Sequence, residues 1–183
     1  MSTQYKATEL DKAYFITITT VGWIDLFTRL EQKYVVIDAL CYCQSNKGLV
    51  IYAYVLMHSH VHILCRSVDR YSIAEIMRDF KKFTSKKIIE TIQDESESRR
   101  EWLLEYFARS CQYLKRDQQY KVWQDGYHAK EAYSLEFIKQ KINYIHLNPV
   151  KDKVVTRVED YYFSSARNYC GLDNELEVFI LDI

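Results

Sequence analysis

Apolar residues along the chain fall into two periods. In "AYFITITTV" (13–21), β-prone residues dominate, and Phe15, Ile16, Ile18 and Val21 can supply buried contacts, so a strand is predicted. "RLEQKYVVIDALCYCQ" (29–44) follows, with Leu30, Tyr34, Ile37 and Cys41 at helical spacing and Asn46-Lys47-Gly48 as its stop. "LVIYAYVLM" (49–57) and "HVHILCRS" (60–67) are β-prone runs separated by His58-Ser59, which predicts a tight hairpin. The next segment (72–92) opens with Ser72 and Glu75 in capping-box spacing and carries an apolar face of Ile73, Ile76, Met77, Phe80, Phe83 and Ile88. "QDESESRRE" (93–101) reads as an exposed charged loop, the core of an insertion spanning about 93–119, although "WLLEYFARSCQYL" (102–114) is itself helical in pattern. A short extended segment (120–133) precedes a helix capped by Ser134, "LEFIKQKINYIHLN" (135–148), which Pro149 should end.

The order β-α-β-β-α, then a small strand and a helix, predicts an α+β fold. A ferredoxin-like sandwich suits it, with an antiparallel β-sheet and helices packed on one face. At 183 residues with one proline and four glycines, residues 1–183 are expected to form a single domain with a short C-terminal extension (171–183). No apolar run is long enough to span a bilayer, and the polar start lacks a signal core, so the expected setting is the cytoplasm, without membrane association. The five cysteines are odd in number and have no C-x-x-C spacing, which suits free thiols. A net charge of zero argues against a partner held by global charge but leaves local patches open.

Candidate chemistry concentrates in two places. Strand residues i and i+2 share a face, so His60 and His62 project side by side and can chelate a divalent cation. Two half-exposed edge histidines are the plain structural alternative. In "INYIHLNPVK" (142–151), Tyr144 and Asn148 lie one helical turn apart, off the stripe of Leu135, Ile138, Ile142 and Ile145 that should meet the sheet. Local positive charge gathers at Arg78, Lys81, Lys82, Lys86 and Lys87, opposed by Asp79, and Lys141 and Lys151 flank the tyrosine.

Taken together, "YVLMHSHVHIL", "FKKFTSKKI", "VWQDGYHAKEA", "FIKQKINYIHLNPVKDKVV" and "YYFSSARNY", in this order, resemble the single-tyrosine HUH transposases. The resemblance is strongest to the REP-associated tyrosine transposases and runs from about residue 12 to 170. It implies metal-dependent cleavage and transfer of single-stranded DNA. Tyr144 would be the nucleophile that forms a 5′-phosphotyrosine link, and His60, His62 and Asn148 the ligands of Mg²⁺ or Mn²⁺. Arg78, Lys81, Lys82, Lys86, Lys87, Lys141 and Lys151 would face single-stranded or hairpin DNA. Trp123, Tyr127 and His128 would support the pocket. The family's Pro-Asn before the first histidine is replaced here by His58-Ser59. A homodimer is left open, as is a catalytically inactive hairpin-binding protein of the same fold. A metal hydrolase of the (β/α)₈ type is excluded by length and by the lack of eightfold alternation.

Overall fold

A computed structural model describes residues 12–94, 97–112 and 118–182. Four strands form one sheet in the order β2-β3-β1-β4, with β1 at Ala13–Thr19, β2 at Leu49–Leu56, β3 at His60–Ser67 and β4 at His128–Glu131. Every pairing is antiparallel. The hairpin joining β2 to β3 turns on His58-Ser59, and Met57 N–H closes it on the His60 carbonyl at 2.8 Å. Helix α1 (Leu30–Lys47) connects β1 to β2 and stops where Gly48 adopts φ 65°, a left-handed conformation only glycine takes without strain. There is also no room for a side chain, because a Cβ at Gly48 would lie 2.4 Å from that of Asp69.

Helix α2 (Ile73–Asp94) begins with the predicted capping box: Ser72 N–H donates to Glu75 Oε2 and Glu75 N–H to Ser72 Oγ. Alternation along β3 divides its side chains between two faces. Cys65, beside Cys43 of α1, marks the face that α1 covers, and α2 packs on α1. His62 points the other way, toward α4 (Leu135–Lys151), which lies against β2 and β3. The antiparallel α+β architecture is the expected one, and α4 adds a helix on the second face.

Several local expectations are revised. In α1, Ile37 is buried as expected but Leu30 is exposed, and Gln32, Val36, Ala39 and Leu40 are buried too, so its inward stripe differs in part from the predicted one. Leu135 is likewise exposed, whereas Ile142 and Ile145 meet the core as expected. Helix α4 continues two residues past Pro149, which sits in the last turn. Ser134 caps its start by accepting from Phe137 N–H.

The charged insertion is largely integral to the fold. Helix α3 (Arg100–Arg109) buries Leu103 and Phe107 completely. Glu97, only 6% exposed, accepts from Arg29 Nε at 2.9 Å instead of facing water. Residues 95, 96 and 113–117 of that segment lie outside the described residues.

The C-terminal segment, including the four-residue helix α5 (Ala166–Tyr169), runs along the outer edge of β2. Ser165 N–H donates to the Tyr54 carbonyl, Leu56 N–H to the Phe163 carbonyl, and Phe179 N–H to the Ile51 carbonyl. Among the described residues no helix is long and apolar enough to cross a membrane. All five cysteines are free thiols.

Candidate functional site

The register of β1 against β3 sets Thr17 opposite His62. Thr17 Oγ1 lies 2.8 Å from His62 Nδ1, a contact that fixes the ring and turns Nε2 outward from the sheet. Phe15, two residues back on the same face, stacks on that imidazole with ring centroids 5.3 Å apart. Burial above all, then the positive fields of His60 and Lys141, push the His62 pKa down to about 3, so the ring stays neutral. His60 sits beside it, centroid to centroid 4.7 Å, with Nδ1 3.2 Å from Ser59 Oγ. Burial also lowers the His60 pKa, Asp152 at the end of α4 acts against that, and His58 adds to it. His58 thus influences the site through charge.

Tyr144 reaches this pair from α4 within one chain. Its hydroxyl lies 3.5 Å from His62 Nε2, and its ring meets the edges of both His62 (5.2 Å) and Phe15 (5.8 Å). The residue is 36% exposed, so a ligand from solvent can reach the side chain. Lys141 and Lys151 lie on either side of the phenol in sequence, their ammonium nitrogens 5.5 and 5.4 Å from its centroid. Two cations and one hydroxyl beside two neutral imidazoles form a site suited to an anion.

Asn148 is one turn beyond Tyr144 and buried, and its carboxamide makes no hydrogen bond among the described residues. His146, between them in sequence, faces the other way, with Nε2 2.9 Å from Ser165 Oγ. No cluster of three or more His, Cys, Asp and Glu side chains suited to a metal occurs among the described residues. A cation at His60 and His62 must therefore complete its shell with a carboxamide, water or substrate oxygen. Asn148, whose amide is unbonded among the described residues, offers a carboxamide from the helix that carries Tyr144, and mixed nitrogen and oxygen donors of this kind would suit Mn²⁺, or Mg²⁺ with several waters.

The basic residues separate into three roles. Arg78, Lys82 and Lys86 line a groove of about 1010 Å³ between α2 and residues 118–127. Lys81 borders the groove but spends its donors on backbone, bonding the carbonyls of Gln124, at 2.7 Å, and Gly126. Burial pulls its pKa down to about 8. In this structure it tethers the 124–126 turn. Lys87 lies outside the groove and pairs with Glu90 at 2.8 Å. Trp123 belongs to the core, donating from Nε1 to Thr84 Oγ1 and packing on Phe27.

A difference in salt dependence should separate these roles. Changing Arg78, Lys82 and Lys86 to Gln is expected to lower the slope of log Kd against log salt for single strands by about 0.7 for each phosphate no longer neutralised. Lys81→Gln should leave that slope unchanged and reduce stability by about 2 kcal/mol, the scale of a buried charged hydrogen bond. Fluorescence anisotropy across a salt series and denaturant unfolding measure the two effects.

Thr17, Phe15 and Asp152 were not identifiable from sequence. Thr17 is one of two threonines in β1, and what sets it apart from Thr19 is its partner across the sheet, which depends on strand register.

The fold is similar to that of a REP-associated tyrosine transposase solved bound to a REP hairpin. The two share 19% identity with a TM-score of 0.66, over 100% of this chain and 95% of the other. A putative transposase from Deinococcus radiodurans R1 is more distant, with 14% identity and a TM-score of 0.45 over 79% and 94%. A comparison with curated proteins finds no match. A family model described as transposase IS200 like matches residues 26–119, more than half of the chain, and the protein belongs to that family.

Proposed function

We propose that the protein is a metal-dependent single-stranded DNA endonuclease and strand transferase in which Tyr144 attacks the scissile phosphodiester. The observation that carries this reading is the 3.5 Å approach of the Tyr144 hydroxyl to His62 Nε2 inside one chain. That approach supports a reading in which Tyr144 acts beside the His60/His62 pair of its own copy.

His60, His62 and Asn148 would hold the cation. When bound, it would polarise the scissile phosphate and offset charge that develops on its oxygens. The chain's own residues supply the rest. Thr17 keeps His62 oriented, with Nε2 facing Tyr144. Lys141 and Lys151 draw the phosphate to the phenol. A phenol with an ordinary pKa of about 10 is a weak nucleophile, so positioning matters more here than intrinsic reactivity. The Tyr144 oxygen–phosphorus bond forms as the phosphorus–3′ oxygen bond breaks. The phenol loses one proton and the departing 3′ oxygen gains one. One phosphodiester replaces another, so no ATP is needed.

The DNA is expected to be single-stranded next to a hairpin, which agrees with the hairpin carried by the solved relative. The competing reading is a hairpin binder that does not cut. Incubating the chain with a labelled hairpin bearing a single-stranded flank, with and without Mn²⁺ or Mg²⁺, separates the two. Cleavage with a covalent protein–DNA adduct is the expected result. A shifted but intact strand would favour the binder.

A further inference from the structure

The chain between β1 and α1 carries one residue that neither folding nor the proposed transesterification accounts for. Trp23 is 60% exposed, although an indole is among the largest apolar surfaces a side chain can bury. Trp123, buried to 3%, shows how this same chain treats an indole that belongs to the core. Trp23 also has φ 57°, a left-handed conformation that a bulky residue adopts only at some strain. The preceding Gly22 has φ 61°, and a Cβ there would lie 2.0 Å from the Tyr106 hydroxyl, so α3 holds the turn closely. This turn delivers the indole to the edge of His60, with ring centroids 5.7 Å apart and planes at 66°. Trp23, His60, His62 and Tyr144 therefore form a continuous row of rings, with successive centroids 5.7, 4.7 and 5.2 Å apart.

We infer that the exposed Trp23 indole stacks on an unpaired base of the strand whose phosphate occupies the His60/His62/Tyr144 site. The inference rests on the single-strand reading above and assigns a residue that would position the strand. A phosphate at the histidines brings its neighbouring base within reach of the adjoining ring. An aromatic face accepts any base, since every base offers a π-face, while its position selects bases that are already unpaired. A duplex could not present a base to it without unstacking. Trp23 would thus hold the flank of a hairpin in register with the nucleophile, and the left-handed turn is what aims the ring.

Trp23→Gly tests this directly, because glycine suits φ 57° and the variant should melt no lower than wild type. Its affinity for a hairpin with a single-stranded flank should fall five- to hundredfold, the range for removal of one base–aromatic stack. Trp23→Phe should recover most of that loss. Replacing single flank nucleotides with abasic sites should find one position that weakens wild type similarly but adds nothing to the loss in Trp23→Gly. In a Trp102→Phe background, flank binding should quench the Trp23 emission. Unchanged affinity and cleavage in Trp23→Gly, or a lower melting temperature without any binding change, would overturn the assignment and make the indole structural. Failure of wild type to bind any single strand would instead remove the underlying single-strand reading, and this assignment with it.

Discussion

Tyr144→Phe is expected to abolish strand cleavage and the covalent adduct together, by several orders of magnitude, as loss of a nucleophile does. The substitution removes one oxygen and keeps the ring against Phe15 and His62. The hydroxyl's nearest polar partner is His62 Nε2 at 3.5 Å, too long for a strong hydrogen bond, so little folding energy depends on it. Stability should stay within about 0.5 kcal/mol of wild type. Lys141 and Lys151 are untouched, so DNA affinity should persist. Mass spectrometry of wild type incubated with a cleavable strand should locate the adduct on Tyr144. Continued cleavage by Tyr144→Phe would point to water as the nucleophile and end the tyrosine mechanism.

His62→Gln should remove Mn²⁺ binding measured by calorimetry, and cleavage with it. His62 provides one of only two imidazoles, and no acidic cluster among the described residues can replace it. A milder variant provides a graded control. Thr17→Val preserves shape but deletes the oxygen 2.8 Å from His62 Nδ1, and removal of such a supporting group typically weakens metal affinity about 10- to 100-fold. His60→Ala should behave like His62→Gln. If both histidine variants bind Mn²⁺ as wild type does, the cation lies elsewhere. Asn148→Ala should fall between the two extremes, since a water can take the place of a carboxamide.

Much of the fold was legible because its signals are local. The capping box at Ser72, the cap at Ser134 and the left-handed Gly48 each act within a few residues, and each appears where the sequence predicts it. Leu30 and Leu135 were misread for the opposite reason. Both lie at the first residue of a helix, where periodicity continues but the core no longer reaches. Lys81 has contacts that no local pattern signals. Its neighbours in sequence suggest a basic face, while the carbonyls that claim it are more than 40 residues away. The site divides along similar lines. His60 and His62 announce themselves by spacing, and Tyr144 with Asn148 by helical turn. Thr17 depends on register between β1 and β3, and Trp23 on a left-handed turn, so neither leaves a mark in the order of residues.

The two outer strands of the sheet are treated differently, and this limits how copies of the chain can associate. Along β2, backbone groups of Ile51, Tyr52, Tyr54 and Leu56 are already bonded to the C-terminal segment. Strand β4 carries no further strand among the described residues. An exposed strand edge is a template for pairing with another molecule, and two such edges on one sheet permit growth without end. A sheet with a single open edge terminates after one addition. Pairing across β4 would have to be antiparallel about a two-fold axis and would close as a dimer, with no edge left to extend into a fibre.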